Sequence, residues 1–336
     1  MINTNNVKNF TKGVERLINP MDVGTLHFMQ GFNKLLPRAV QEMFIKSSSK
    51  SKPFMGFVVE PYAYFLCYEI EDLEMAKNLL PTGFSLVKTK IFDYDDPKYY
   101  CIFGCFTAHT SAFWGSRVEF YIIAEDDKTG LMSWIIVDYD SNTISYDKKY
   151  GLKSPNSTKA VVSTTHRGTL IVDVTRDDKS RAIVFESDIT VGKFKPMDYR
   201  LWLEGNLSIG YGRELSEGGD ASIFSLKFDP LEVEKGWEMP LDSLKLEVNS
   251  WFPGLFKKTP SKLACFPYAQ HFVSDSPGHF SSVNNQEELV KEIENIKFEN
   301  IEVLSTKPFK TMFLLGGAVS FVITVTLLAL LIFTDL

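Results

Sequence analysis

Short apolar segments with the character of β-strands dominate the chain from about residue 54 to residue 256. The segments are short, rich in β-branched and aromatic residues, and separated by turn sequences such as Asp127-Lys128-Thr129-Gly130 and Asp177-Asp178-Lys179. The predicted strands are FMGFVVE, YAYFLCYEI, YYCIFGCFTAH, VEFYIIAE, LMSWIIVDYD, KAVVSTTH, GTLIVDVTR, AIVFESDI, RLWLEGNLSIG, SIFSLKFDPLEV and LKLEVNSWF. Short strands at this spacing are typical of an antiparallel barrel or double sheet. The pattern therefore predicts a mainly β fold of the α+β class, with a few short helices.

Helical patterns interrupt and flank these strands. One helix is predicted from Asp72 to Leu80, closed by Pro81 and Gly83, and another from Gln286 to about Ile296. Residues 1–50 read as helical and loop-like. Leu36, Val40, Met43 and Phe44 fall on one side of a possible helix after Pro37, which either packs on the main domain or lies in a membrane interface.

The longest apolar run lies near the C-terminus. From Thr311 to Thr334 there are 24 consecutive residues without a charge. At about 1.5 Å per residue, a helix of this length reaches roughly 36 Å, enough to cross a hydrocarbon core of about 30 Å with some tilt. Core helices are seldom apolar on every face over such a length. The sequence predicts one transmembrane helix, and hence a protein that contacts a lipid bilayer.

The charges around this run predict its orientation. Lys307 and Lys310 precede it and only Asp335 and Leu336 follow, so the positive-inside tendency places the large domain in the cytosol. The first residues contain no apolar stretch of signal-peptide type. We expect a single-pass, tail-anchored topology. The expected organisation is a helical and loop-like segment at 1–52, a β domain at 53–283, a helix and linker at 284–310 and the transmembrane helix at 311–334.

Composition narrows the class of function. The net charge is −6, from 36 basic and 42 acidic residues, so no basic surface for nucleic acid is predicted. The cysteines at 67, 101, 105 and 265 have no metal-ligand spacing, and no metal or cofactor is expected. If Cys101 and Cys105 share a strand, they lie on one face about 13 Å apart, too far for a disulfide. We expect free, mostly buried thiols.

Two segments carry a resemblance to a known family. The first is EIEDLEMAKNLLPTGFSL, Glu69 to Leu86, in which a strand leads into a short helix that ends in a Leu-Pro-x-Gly turn. The second is Gly115 to Ser154, in which an acidic residue opens a long strand and an acidic turn, a second strand, a glycine and a lysine follow. In the order of these features, the region from Glu69 to Arg176 resembles the acetoacetate decarboxylase-like superfamily. The match covers about a third of the chain.

This resemblance implies a cone-like β-barrel around an apolar cavity, with decarboxylation of a 3-oxo acid through a lysine Schiff base. Such chemistry needs a neutral amine, which desolvation and a neighbouring ammonium provide by lowering a lysine pKa. Glu119 stands where the family has its catalytic carboxylate, and Lys153 is the nearest candidate for the amine. The family pattern Gly-x-Pro-Lys-Lys is replaced here by Gly-Leu-Lys-Ser-Pro at 151–155, without the second lysine.

The remaining candidate residues are assigned to ligand binding. Arg117 could clamp a carboxylate, yet strand alternation puts it on the same face as Glu119, so a structural ion pair is equally consistent. Trp114 and Trp134 could line an apolar pocket, with core packing as the alternative. His109 and His166 lack the spacing of a metal or hydrolase site.

Three functions are compatible with these features. The first is a membrane-tethered module that binds a hydrophobic or lipid-like small molecule. The second is a Schiff-base lyase that uses Lys153 and Glu119 on a hydrophobic oxo acid. The third is a non-catalytic subunit of a membrane complex, with homo-oligomerisation also open. The missing lysine pair separates the second from the others, and filling of the barrel by aromatic side chains separates the first from the third.

Overall fold

The structure is a computed structural model that describes residues 4–33, 35–37, 39, 55–147, 151–215, 223–274, 280–303 and 305–334. The possible helix after Pro37 lies for the most part outside the described residues. The helices are α1 (Thr4–Leu17), α2 (Pro20–Asn33), α3 (Leu73–Leu79), α4 (Gly205–Leu207), α5 (Leu231–Glu234), α6 (Gln286–Asn295) and α7 (Lys307–Thr334). A π-helical turn occupies Arg200–Glu204, and 3-10 turns occupy Ile189–Val191, Leu241–Ser243 and Phe298–Asn300.

The strands follow the predicted segments with a few differences. They are β1 (Met55–Val59), β2 (Ala63–Glu69), β3 (Phe84–Leu86), β4 (Lys88–Thr89), β5 (Lys98–Thr110), β6 (Trp114–Asp126), β7 (Met132–Ser141), β8 (Ser145–Asp147), β9 (Gly151–Lys153), β10 (Val161–Thr164), β11 (Thr169–Thr175), β12 (Ala182–Asp188), β13 (Lys193–Pro196), β14 (Ser208–Tyr211), β15 (Phe224–Phe228), β16 (Lys235–Glu238), β17 (Leu244–Asn249), β18 (Lys262–Phe266) and β19 (Gln270–Ser274). Strands therefore continue beyond residue 256, whereas the predicted strand segments end there.

Seven strands close into a barrel in the order β5-β1-β19-β15-β14-β7-β6, and the ring is completed by pairing of β6 with β5. The long strand β5 has two partners on its other edge: β1 at residues 108–110 and β2 at residues 100–105. From β2 the sheet extends through β18 and β16 to β13. The prediction of a barrel with a second sheet is confirmed. One barrel pair, β14 with β7, is parallel, whereas the other six are antiparallel.

A second sheet, β10-β11-β12-β17, covers the outer face of the barrel. Alternate residues of β11 and β12 are buried, including Leu170, Val172, Val174, Ile183 and Phe185. They pack against outward-facing residues of β5 and β6, among them Phe103 and Phe120. The period-2 pattern of the sequence thus follows from burial of one face of each strand.

Two predicted strands are wrong in part. In SIFSLKFDPLEV, the strand β15 ends at Phe228 and Leu231–Glu234 forms helix α5. The first half of RLWLEGNLSIG forms the π-helical turn Arg200–Glu204 and α4, and only Ser208–Tyr211 is a strand. Leu201, Trp202 and Leu203 are consecutive and all buried, so the apolar run has no alternation for a half-buried strand. The Asp198 side chain accepts a hydrogen bond from the Leu201 amide at 2.9 Å and so starts the turn.

The two internal helices that the sequence predicts begin and end as their sequences indicate. Helix α3 has Asp72 as its N-cap, whose side chain accepts from the Met75 amide at 2.9 Å, and Gly83 beyond it has a φ of 85°. Helix α6 is capped by Asn285 and buries Leu289 and Ile293.

The N-terminal helices pack on the barrel from outside. Helix α1 lies on β1, where Gly56 allows close approach: an added Cβ would be 2.8 Å from the Leu17 Cβ. Helix α2 buries Leu26 and Met29 in a small cluster with Ala112 and Ile144.

Helix α7 is long and apolar enough to cross a membrane. Its segment Lys310–Leu330 has 21 residues, a mean hydropathy of 2.3 and no part buried in the protein. The four cysteines are buried and free, as predicted.

Candidate functional site

Strand β6 presents polar residues to the inside of the barrel. Pairing with β5 and β7 places Val118, Phe120 and Ile122 against the second sheet, so the alternate residues Arg117, Glu119 and Tyr121 face inward. Tyr139 on β7 lies directly opposite Glu119 and shares its face. Two ionisable side chains therefore lie on the inner wall, beside two tyrosines.

These inward side chains form a connected cluster. Arg117 Nε donates to Glu119 Oε1, and the Tyr121 hydroxyl donates to Glu119 Oε2. The Arg117 guanidinium carbon lies 3.9 Å from the centroid of the Tyr139 ring, a cation–π contact. Arg117 and Glu119 are only 7% and 8% exposed.

The protonation states of the cluster follow from its contacts. Burial alone would lower the pKa of Arg117, but the charge of Glu119, the neighbouring Tyr139 and Tyr211 and the hydrogen bond to Glu119 together outweigh burial and hold that pKa above its ordinary value. Burial, together with the Glu119 charge, raises the pKa of Tyr121 well above its ordinary value. The cluster thus contains a permanent guanidinium and a neutral phenol that hydrogen-bonds to Glu119.

Half-buried aromatic residues surround the cluster at one end of the barrel. Strand register puts each of them on the inner face: Phe57, Phe106, Tyr139, Tyr211 and Phe224. All five have intermediate exposure and pack against the core. We call this end the barrel mouth. Its walls are aromatic, and Arg117 and Glu119 are the charged pair within it.

Away from the mouth, the inner face is packed with aromatic rings. The Trp134 ring lies 5.0 Å from Tyr121, 5.2 Å from Trp202 and 6.0 Å from Phe65, and Trp202 lies 5.0 Å from Phe266. The Trp134 Nε1–H donates to the Leu201 carbonyl at 2.9 Å. Side chains therefore occupy this region, where the family resemblance implied an apolar cavity.

The predicted site residues separate into two groups. Arg117, Glu119 and Trp134 lie on the inner wall and are linked through Tyr121. Lys153 is exposed on the β8–β9 hairpin, opposite Ser145 and outside the seven-stranded ring. Trp114 faces outward and stacks on His109 at 4.8 Å. Lys153 and Trp114 are thus not part of the barrel mouth.

The ion pair between Arg117 and Glu119, which the sequence left open as an alternative to ligand binding by Arg117, is present, whereas the tyrosines beside it were missed. The i, i+2 spacing of Arg117, Glu119 and Tyr121 could have identified Tyr121. Tyr139, Tyr211, Phe106 and Phe224 come from four other strands, and no local signal joins them. His109 pairs with Glu60 at 2.7 Å, and His166 is exposed.

A groove of about 670 Å³ lies elsewhere, beside α6, with Lys227, Val283, Glu288, Lys291 and Ile296 among its lining residues. Lys227 is already paired with Glu292 at 2.7 Å on this surface. No group of three His, Cys, Asp or Glu side chains in the described part of the chain could hold a metal ion. The barrel mouth, with its buried charges, is the stronger candidate.

No family model matches the chain, and no curated protein matches it. Among solved structures, it is similar to an acetoacetate decarboxylase from Legionella pneumophila, with 12% sequence identity and a TM-score of 0.41. The similarity covers 67% of this chain and 87% of that one. It is too distant to assign the chain to a family or to transfer a function.

Proposed function

We propose that the chain is a membrane-tethered binding protein for a small amphipathic molecule with an apolar body and an anionic head such as a carboxylate. The observation that carries this proposal is the Arg117–Glu119 pair within the aromatic walls of the barrel mouth. An arginine in such surroundings is suited to bidentate recognition of a carboxylate, because its two Nη groups form a planar fork.

The division of roles in the cluster supports binding. Glu119 accepts from both Arg117 Nε and the Tyr121 hydroxyl, so it orients the guanidinium, whose two Nη groups we expect to bind the anionic head of the ligand. The Tyr139 ring contacts the guanidinium as well and restrains its orientation further. A pre-oriented cation loses less entropy on binding, which increases affinity without further contacts.

Helix α7 gives this binding site a membrane location. A tethered protein meets membrane-dissolved molecules at a raised effective concentration, so modest intrinsic affinity suffices. The expected topology has the barrel on the cytosolic side, since Lys307 and Lys310 precede the apolar segment.

The test uses the full chain in lipid nanodiscs with saturated fatty acids and the matching fatty alcohols, with binding read by native mass spectrometry. We expect the acids to bind and the alcohols to bind less. Arg117→Met should weaken acid binding by roughly tenfold to a hundredfold, as expected for loss of a charge-assisted hydrogen bond. The matched control is Arg200→Met, because Arg200 also pairs with a glutamate but has a 44% exposed side chain. Equal effects of the two substitutions would contradict the proposal.

A second candidate, a non-catalytic subunit of a membrane complex, is favoured by the aromatic packing around Trp134 and Trp202. Absence of any acid binding by a folded, full-length protein would support it. Imine chemistry is not favoured, since Lys153 is exposed and such a lysine lacks desolvation. Borohydride trapping with 3-oxo acids should therefore give no stable adduct on Lys153.

A further inference from the structure

The base of helix α7 is fastened to helix α2. Asp22 Oδ1 accepts hydrogen bonds from Lys310 Nζ and from the Thr306 hydroxyl, each at 2.6 Å. One and a half turns further along α2, the Phe28 ring lies 4.9 Å from the Phe313 ring. These contacts hold the two helices together at two levels.

The order of the contacts shows that the helices run in the same direction. Passing from Asp22 to Phe28 on α2 advances about 9 Å, and passing from Lys310 to Phe313 on α7 advances about 4.5 Å. The C-terminal half of α2 therefore lies level with Phe313, at the start of the apolar segment Lys310–Leu330.

One side of α2 and its following turn is apolar and exposed. Met21, Phe28 and Leu35 have exposed fractions of 74%, 51% and 77%. Met21 and Phe28 are seven residues apart on α2, a spacing that keeps two side chains of a helix on one face with a drift of about 20°, and Leu35 lies beyond the end of the helix. Val23, Leu26 and Met29, on the other side of α2, are buried. Large apolar side chains that are exposed close together mark a surface that contacts a membrane or another protein.

We propose that the face formed by Met21, Phe28 and Leu35 is a second membrane contact, which lies in the interface of the bilayer that α7 crosses. The inference rests on the proposed membrane span. Continuity with α7 identifies the occupant as lipid, because Phe28, the middle residue of this face, contacts Phe313 in the first turn of the apolar segment. In the sequence, Lys34 and Arg38 flank Leu35, and basic residues among apolar ones are typical of interfacial segments.

This second contact fixes how the barrel stands on the membrane. A single transmembrane helix leaves the attached domain free to rotate and tilt. A second contact, held to the helix by Asp22 and Phe28, removes much of that freedom. The barrel then keeps one orientation toward the bilayer from which a ligand would come.

The test places one environment-sensitive fluorophore on the full-length protein by maleimide labelling. Selective labelling is possible because the four native cysteines are fully buried. The labelled variants are Leu35→Cys, Val319→Cys within α7 and Leu241→Cys on a 3-10 turn, where the native residue is 52% exposed. Each is reconstituted in phosphatidylcholine vesicles with a minority of phosphatidylglycerol. Nitroxide lipids that quench near the headgroup or near the chain ends then report depth.

The expected result is quenching of the label at 35 by the shallow nitroxide, of the label at 319 by the deep nitroxide, and of the label at 241 by neither. If the label at 319 is quenched but the label at 35 is not, the second contact is overturned and the membrane span is left intact. Absence of quenching at 319 would overturn the span, and the second contact with it. The same dye at 241 controls for insertion driven by the dye.

Discussion

Glu119 receives both of its hydrogen bonds from its own strand. Arg117 and Tyr121 flank it at i−2 and i+2, where the pleat of a β-strand puts all three side chains on one face. The cluster therefore forms as soon as β6 is extended and buried. Its stability contribution is conditional, because a buried pair offsets its desolvation cost only while both charges are present.

A double-mutant cycle tests this dependence. Arg117→Met alone leaves Glu119 buried without its counter-charge, and we expect a loss of about 3–5 kcal/mol in the free energy of unfolding. The double variant Arg117→Met/Glu119→Gln should recover a large part of that loss, as read by chemical denaturation of the full chain in detergent. If the changes in the free energy of unfolding caused by the two single substitutions add up to that of the double variant, the two side chains do not depend on each other. The exposed Arg200 again supplies the control, with about 0–1 kcal/mol expected for its loss.

At the scale of elements, a buried histidine joins helix α1 to the barrel. His271 on β19 is 7% exposed; its Nδ1 lies 2.9 Å from Glu232 Oε1 and its Nε2 lies 3.4 Å from Glu15 Oε1 on α1. Burial would lower the pKa of His271, but the two carboxylates outweigh it and raise that pKa above 6.5. Burial also raises the pKa of Glu232, against the influence of His271.

This histidine predicts a pH dependence of stability. Its folded-state pKa is raised, so the folded state binds the proton more tightly than the unfolded chain. The stabilisation is fully present below about pH 6.5 and is lost as pH rises through the folded-state pKa. Denaturation midpoints measured against pH should fall more steeply above 6.5 for the native protein than for His271→Gln. His166→Gln, at an exposed histidine, should keep the native slope, and equal slopes in all three proteins would disprove the linkage.

Across the whole molecule, ion pairs and apolar packing hold the second sheet to the barrel. Arg176, at the end of β11, donates to Asp140 Oδ1 on β7 at 2.7 Å and to Asp138 Oδ1 at 3.2 Å, and Arg181 also pairs with Asp138. Helix α7 contrasts with this packed assembly, since its apolar segment contacts α2 through its first turn and is not buried in the protein. Its length and composition are those of a helix that could cross a membrane.

Charges introduced into α7 test the membrane span. Val322→Lys together with Val325→Lys places two ammonium groups in the middle of the apolar segment, at positions 61% and 48% exposed. Each charge at a helix centre costs roughly 2.5–3.5 kcal/mol for insertion. We expect the native protein to stay with the membrane fraction after alkaline extraction and the variant to be released. The polar but uncharged pair Val322→Thr/Val325→Thr should stay with the membrane, and release of the native protein would contradict the span.

Local sequence determined the elements of this protein. Turn residues fixed the hairpins at Gly130 and Lys179, which have φ angles of 71° and 60°. Asp72 and Asn285 fixed where two helices begin, and period-2 alternation put Arg117 and Glu119 on one face. The uniform apolar character of α7 marked it as a candidate membrane helix. Each signal depends on residues within a few positions of one another, so no tertiary information was needed.

Only the tertiary structure decided how the barrel closes and what it encloses. Strand β1 pairs with β19, which lies more than two hundred residues later, and β14 pairs in parallel with β7 across a long connection. Such pairings depend on how the whole sheet packs, since backbone hydrogen bonds are alike in every strand. The same reason put Lys153 on an exposed hairpin, turned RLWLE into a π-helical turn and brought Tyr139 and Tyr211 beside Arg117. Alternation along a strand predicts which side chains share a face, but the tertiary structure determines which side chains they contact there.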